Sequence, residues 1–350
     1  MIERPYYLNQ LLRAKDTDFI KIITGIRRSG KSTLLEMLKK HLLTQGVPEN
    51  HVIHISYEQI PWFPLEKAET LYAYIKEHIT EPAHRYYLLI DEVQELEEWA
   101  KVINGLKATF PLDIYITGSN SRLFSGEYLT YITGRYIEIK VYPLSLSEFM
   151  TFRGYDESNV AKAFNEYLTI GSFPAAAVAK DPELTEIINS GLFDSIFARD
   201  IIIRGGIRNE GVFLKAAKFI MENIGNPLSV SAISRTLKSQ GSSASADTID
   251  NYLTQMVNAY VLYQCERYDI RGKERLRTNG KYYVADLGLR YYQVSLSVME
   301  ETVLARELAP FQKITDNFPK YLITMDTIDF SQNGIIHQNL YDFLLGENKQ

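Results

Sequence analysis

An α/β fold on a parallel sheet is what this sequence predicts for its N-terminal part, and three observations predict it. Between residues 19 and 142, short β-branched runs alternate with amphipathic stretches. The run Tyr86-Tyr87-Leu88-Leu89-Ile90 is apolar at every position, as expected of a parallel strand covered on both faces. The composition, 45% hydrophobic and 23% charged over 350 residues, is that of a globular protein long enough for two or three domains.

The predicted strands are Phe19–Thr24, His51–Ser56, Tyr86–Asp91, Asp113–Thr117 and Tyr136–Val141. Helical patterns lie between them at Lys31–Leu43, Leu65–His78 and Glu98–Phe110. Such interleaving means βαβ units with helices on both faces of the sheet.

After Pro143 the pattern turns helical, with breaks at Gly171-Ser172-Phe173-Pro174 and Gly205-Gly206. Three further helices are expected at Val212–Ile224, Ser231–Lys238 and Asp247–Ala259. The last carries an apolar stripe of Ile249, Leu253, Met256 and Tyr260. Strands at Val261–Tyr268 and Lys281–Ala285 follow, joined by Arg271–Gly280. Three helices and a hairpin predict a winged helix-turn-helix; an unrelated helical bundle with a hairpin fits the same pattern. The expected organisation is therefore 1–143 as the α/β domain, 144–210 as a helical connector, 211–290 as the winged helix and 291–350 as a short α/β piece.

The chemistry concentrates in Gly25-Ile26-Arg27-Arg28-Ser29-Gly30-Lys31-Ser32-Thr33, which fits G-x-x-x-x-G-K-[ST] and sits between a predicted strand and a predicted helix. In such a loop the backbone N–H groups cradle phosphate oxygens, and the helix N-terminus adds a positive partial charge. Lys31 is expected at the β- and γ-phosphates, Ser32 on Mg²⁺, and Thr33 near the α-phosphate. The run ending in Asp91-Glu92 supplies two carboxylates at a strand end. Asp91 suits the Mg²⁺ shell and Glu92 suits activation of the attacking water. The ligands implied are ATP and Mg²⁺. No N-K-x-D guanine-reading motif follows the loop, which favours ATP over GTP.

Two further candidates depend on the order of the strands. If the strand at 113–117 lies between the loop strand and the Asp91 strand, Ser119 or Asn120 would stand near the γ-phosphate. The other reading makes them an N-cap. Arg135 could serve as an arginine finger or be a surface arginine in a turn; Arg27 and Arg28 lie in the loop itself. His51 and His54 form no metal site.

The net charge of −5 gives no global attraction to nucleic acid or anionic membrane. A local basic group does exist at Arg267, Arg271, Lys273, Arg275, Arg277 and Lys281. The third helix of the winged-helix pattern carries Thr248, Asn251, Gln255 and Asn258, types able to read base edges, but also Asp247 and Asp250 and no Lys or Arg. Nucleic-acid binding and docking to a protein, another domain or another copy are both open. With one cysteine, Cys265, no internal disulfide can form, and a reducing cytoplasm is expected. No apolar run nears the ~20 residues of a membrane span, and the N-terminus lacks a signal-peptide core.

On these residues the chain resembles the prokaryotic AAA-type (ASCE-type) P-loop ATPases that carry a C-terminal DUF4143 region. The resemblance rests on Thr24–Ser32, Asp91-Glu92-Val93-Gln94 with Trp99, Thr117–Asn120 and Gly134-Arg135-Tyr136. It extends to Pro143–Phe149, Gly171–Pro174, Arg199-Asp200-Ile201 and Val284–Arg290. It implies a winged helix followed by a restriction-endonuclease-like domain. Here Arg290-Tyr291-Tyr292 runs at once into Gln293-Val294-Ser295, where relatives hold a longer segment with the carboxylates a nuclease needs. A deletion and a stretch absent from the sequence as written both account for this join, and the resemblance gives no support for nuclease activity. The functional expectation is ATP binding and hydrolysis coupled to a conformational change, with a nucleotide-gated regulator of little turnover as the alternative.

Overall fold

The computed structural model describes residues 2–121, 131–132, 134–223, 225, 228–239, 241–242, 244–265, 281–284, 291–294, 297, 299–309, 311 and 320–346. The elements up to residue 140 are α1 (Pro5–Arg13), β1 (Ile20–Thr24), α2 (Lys31–Thr44), β2 (Val52–Ser56), α3 (Ala68–His78), β3 (Tyr86–Asp91), α4 (Trp99–Thr109), β4 (Leu112–Gly118) and β5 (Tyr136–Lys140). All five predicted strands are present, no end shifted by more than one residue and Tyr86–Asp91 matching at both ends. The third helix starts later than predicted because Ile60–Leu65, with Pro61 and Pro64, forms a 3₁₀ turn instead. Helix α1 was not anticipated. Its start is a proline at the first turn, where the missing N–H costs nothing.

The sheet order is β2-β3-β4-β1-β5, and every neighbouring pair is parallel. Successive residues of a strand point to opposite faces, and both faces here are covered. Ile22, Leu88, Ile90, Ile114 and Ile116 pack with Leu71 and Ile75 of α3 and Ile103 of α4. Ile23, Leu89, Tyr115 and Ile139 pack on the other side with Leu11 of α1 and Leu34, Leu35 and Leu38 of α2. Two-sided burial explains why Tyr86–Asp91 is buried at every position.

One charged pair interrupts this apolar sheet. Lys21 of β1 and Asp113 of β4 form an ion pair with both side chains fully buried. Asp113 also accepts from Tyr115 Oη at 3.0 Å and from the Asp16 N–H at 2.9 Å. Burial pulls the Lys21 ammonium below the ordinary lysine value, and Asp113 opposes that pull.

Beyond β5 come α5 (Leu146–Arg153), α6 (Val160–Ile170), α7 (Pro174–Val178), α8 (Pro182–Ser195), a π-helical stretch at Ile196–Ile203, α9 (Glu210–Glu222), α10 (Val230–Ser239) and α11 (Ala246–Asn258). Strands β6 (Leu262–Cys265) and β7 (Lys281–Val284) form a two-stranded sheet. Then follow β8 (Tyr291–Val294), α12 (Glu301–Leu308), β9 (Lys320–Thr324), β10 (Ile335–Asn339) and α13 (Leu340–Leu345). Strands β8, β9 and β10 make a parallel three-stranded sheet in the order β10-β9-β8. The predicted stripe Ile249, Leu253, Met256 and Tyr260 is buried throughout. Among the described residues, no helix is long and apolar enough to cross a membrane.

The chain divides into two compact units, each built from separate stretches. One comprises Met1–Pro143, Ser190–Lys218 and Ile233–Leu262; the other comprises Leu144–Asn189, Phe219–Ala232 and Tyr263–Gln350. In the second unit, α5 begins with a reciprocal cap between Ser145 and Glu148 and ends at Gly154 in the left-handed region. Its Leu146 and Met150 pack with Ala163 of α6 and with Leu344 and Leu345 of α13. Five of the six basic residues, Arg267, Arg271, Lys273, Arg275 and Arg277, lie outside the described residues, as does Arg290 at the join with β8; Lys281 opens β7 and is exposed.

Candidate functional site

The site forms at the carboxyl ends of β1, β3 and β4, where β1 runs into the loop that precedes α2. Gly25 has φ of +135°, and a Cβ there would lie 2.0 Å from the Val141 carbonyl oxygen, so no other residue fits. Gly30, at φ of +100°, caps α2 in the left-handed region. Between them the backbone turns tightly enough that Lys31 Nζ donates to the loop carbonyls of Gly25 at 2.9 Å and Ile26 at 3.1 Å. Burial pulls Lys31 below the usual lysine value, while Glu92 and Asp91 pull the other way.

The rest of the loop divides by exposure. Ile26, Arg27 and Ser29 are buried, whereas Arg28, Ser32 and Thr33 are exposed. Arg27 Nη2 pairs with Glu58 Oε1 at 2.8 Å. Its Nε and Nη1, like Ser29 Oγ, are buried without a hydrogen-bond partner in the protein. Buried donors of this kind are costly unless an acceptor meets them, and a phosphate oxygen is such an acceptor.

Asp91 ends β3 and is buried. Its Oδ1 accepts from Thr117 Oγ1 at 2.6 Å, and its Oδ2 accepts from Ser56 Oγ at 3.3 Å. Burial raises its pKa above the ordinary carboxylate value, opposed by hydrogen bonds from Thr117 and Ser32. A serine hydroxyl beside a carboxylate is a hard-oxygen donor pair that fits Mg²⁺, an ion that takes its remaining ligands from water and phosphate. Among the described residues, no cluster of three or more His, Cys, Asp or Glu could hold a metal by itself.

Glu92 follows with φ of +56°, in the left-handed region rarely adopted by a non-glycine residue. Its N–H donates to Thr117 Oγ1 at 2.9 Å, and its Oε2 accepts from Ser119 Oγ at 3.4 Å and from Gln94 Nε2. Because β4 does lie between β3 and β1, Ser119 and Asn120 stand beside this carboxylate end, and both are buried.

Arg135 is not brought to this cluster. It is exposed, immediately precedes β5, and donates to Asn104 Oδ1 at 3.4 Å. Ile20 of β1 pairs with Tyr136 and Thr24 with Lys140, so Arg135 belongs to the amino end of the sheet. The loop leaves β1 at the other end, roughly 16 Å away along the strand. Within one chain, the finger role therefore does not fit Arg135.

Four contributors were given no place in the site by the sequence reading, although Asp200 and Tyr260 were noted there for other reasons. Arg4, buried just before α1, donates to the Ser29 carbonyl at 2.8 Å and to the Tyr142 carbonyl at 3.0 Å, bracing the loop from outside. Asp200 and Arg204 come from the π-helical stretch and the residue after it. Arg204 Nη1 donates to Ser119 Oγ at 2.9 Å and Asp200 Oδ1 at 2.7 Å, and Nη2 donates to Glu95 Oε1 at 2.6 Å. Tyr260, just beyond α11, is buried, and its ring lies 4.9 Å from Lys140 Nζ. The only local hint was the spacing of Asp200 and Arg204, four apart on a helical pattern.

Residues 17–150 match the family model of an AAA domain (AAA_14), and residues 161–301 match a domain of unknown function, DUF8612. The latter is the matching model where the resemblance had pointed to DUF4143. An uncharacterized protein of Haemophilus influenzae is 41% identical over 296 residues, 84% of this chain and 74% of that protein. The uncharacterized protein MJ1544 of Methanocaldococcus jannaschii is 27% identical over 300 residues, 81% of this chain and 64% of that one. Among solved structures, the Walker-type ATPase paby2304 of Pyrococcus abyssi aligns with a TM-score of 0.49 at 16% identity, covering 82% of this chain and 94% of that chain.

Proposed function

This chain belongs to one family with the uncharacterized Haemophilus influenzae protein and matches an AAA domain over residues 17–150, and on that premise we propose that it binds ATP with Mg²⁺ and hydrolyses it. The observation that carries the reading is that the buried, unpartnered donors of Arg27 and Ser29 in the loop and the buried Asp91–Glu92 pair stand together at the carboxyl ends of the sheet. Lys31, the loop N–H groups and the buried Arg27 guanidinium would hold the triphosphate. Ser32 and Asp91 would hold Mg²⁺, which neutralises phosphate charge. Glu92 accepts a proton from the attacking water. The new bond forms between water oxygen and γ-phosphorus, the bond to the β–γ bridging oxygen breaks, and ADP and phosphate leave. Asn120 would orient that water. The test is ATP turnover with Mg²⁺ in the wild type and in Glu92→Gln. A wild type that binds ATP but turns over no faster than Glu92→Gln would sink the hydrolase reading.

The output belongs to the same proposal. Helix α11 meets the end of β4 through Ser121 Oγ donating to Asn258 Oδ1 at 3.0 Å, and Tyr260 just beyond the helix lies against Lys140 of β5. A shift of the loop or of the β4 tip on nucleotide binding would be felt at both points. The helices α9, α10 and α11 with β6 and β7 are then the winged-helix output module. Of the four polar residues on α11, Gln255 is buried and bonded to Asn251, and Asn258 is held by Ser121. This supports docking to protein over base reading in the state described. DNA affinity measured against salt decides it: binding lost on neutralising Arg271, Lys273, Arg275 and Arg277 would overturn the docking reading.

A further inference from the structure

We propose that Arg204 is a positioning residue for hydrolysis, setting the carboxylate of Glu92 through Ser119 and anchoring both on the buried Asp200. This rests on the reading of Glu92 as general base and adds the element that controls it.

The geometry carries a directional argument. Arginine can only donate, so Ser119 Oγ must accept from Arg204 Nη1 at 2.9 Å. That leaves the single Ser119 O–H for Glu92 Oε2, 3.4 Å away. Arg204 Nη2 itself lies 3.9 Å from the same Glu92 oxygen and pairs with Glu95 at 2.6 Å. One guanidinium thus sets two groups at the ends of β3 and β4, and its planar fork allows only a narrow range of positions for both.

Asp200 explains why Arg204 stays in place. It is 1% exposed, its Oδ1 accepts from Arg204 Nη1 at 2.7 Å, and its Oδ2 has no hydrogen-bond partner in the protein. Burial drives its pKa up, and Arg204 is the largest opposing influence, followed by Arg27. Removing Arg204 would strand a buried carboxylate beside Glu92. The π-helical stretch Ile196–Ile203 carries Asp200 and leads directly into Arg204. Stretches of this kind re-aim side chains at functional sites. Immediately after Arg204, a side chain on Gly205 would meet Gln255 Cγ at 3.0 Å, so the backbone packs tightly there. All of these residues belong to one compact unit.

The test measures ATP affinity and steady-state hydrolysis in the wild type, Arg204→Ala, Arg204→Lys, Ser119→Ala and Glu92→Gln. Arg204→Ala is expected to lower kcat by roughly 10- to 100-fold while KM and ATP affinity change less than about threefold, the pattern of a misplaced catalytic group. Added guanidinium ion should restore part of that rate, and Arg204→Lys should recover less than the guanidinium chemistry does. Ser119→Ala leaves the Arg204–Asp200 pair intact and should show a smaller fall in kcat, which keeps the test alive should Arg204→Ala not fold. An unchanged or higher kcat in Arg204→Ala, or a loss equal in affinity and rate with no rescue, overturns the proposal. If Glu92→Gln hydrolyses as fast as the wild type, the reading of Glu92 fails first, and the two failures are told apart by that variant alone.

Discussion

Thr117 Oγ1 donates to Asp91 Oδ1 at 2.6 Å and accepts the Glu92 N–H at 2.9 Å. One side chain on β4 thereby orients both members of the carboxylate pair on β3. Replacing it with the isosteric valine leaves both partners in place and removes both bonds. Thr117→Val should cost about 1–3 kcal/mol in urea unfolding, because the buried N–H and carboxylate lose a partner each. It should also weaken the Mg²⁺ dependence of ATP binding, which a titration with and without the metal reads directly.

Two glycines should answer the same substitution in opposite ways. Gly25→Ala forces a Cβ to 2.0 Å from a backbone oxygen at φ of +135°, and nucleotide binding should be lost in titration with a fluorescent ATP analogue. Gly105 lies inside α4 with nothing within 4 Å of its added Cβ. Gly105→Ala should stabilise the protein by about 0.4–1 kcal/mol and leave binding unchanged.

The buried Lys21–Asp113 pair lies at the far end of the sheet from the site. Lys21→Met strands a buried carboxylate and should cost about 3–5 kcal/mol by chemical denaturation. The double variant Lys21→Met with Asp113→Leu removes both charges and should regain most of that loss. A double variant as unstable as the single one would contradict the account.

His54 on β2 is largely buried beside Glu36, and burial holds its pKa below the ordinary 6.5. The unfolded chain therefore binds the proton first as pH falls. His54's contribution is present above pH 6.5 and is lost as pH drops through 6.5 toward the folded value. Unfolding free energies compared between about pH 7.5 and about pH 5.5 should fall in the wild type and fall less in His54→Phe.

Much of the nucleotide-binding unit is legible in the chain because its chemistry is contiguous. A loop that wraps phosphate needs Gly25, Gly30 and Lys31 in order, and a strand that ends at the metal needs its acid at the last position, as in Asp91. The same logic overlooked α1, whose buried face holds only Tyr7 and Leu11. It also placed Arg135 among the catalytic candidates on its proximity to a strand, without knowing which end of the sheet that strand began at. The roles of Arg204 and Arg4 were beyond reach, since Ser119, Glu95 and Ser29 stand far from them along the chain, and the four-residue spacing of Asp200 and Arg204 records only their own pairing.

Periodicity and loop chemistry by themselves determined the five strands, the helices between them and the phosphate-binding loop, because each rests on interactions within a few residues. Strand order was another matter. Parallel strands buried on both faces look alike in sequence, and nothing local says which one neighbours β1. Only the tertiary structure set β4 between β3 and β1, which put Ser119 beside Glu92, and paired β5 with β1 in the register that leaves Arg135 at the opposite end of the sheet. It also brought Arg204 from the helical region to the ends of β3 and β4, where the buried Asp200 holds it.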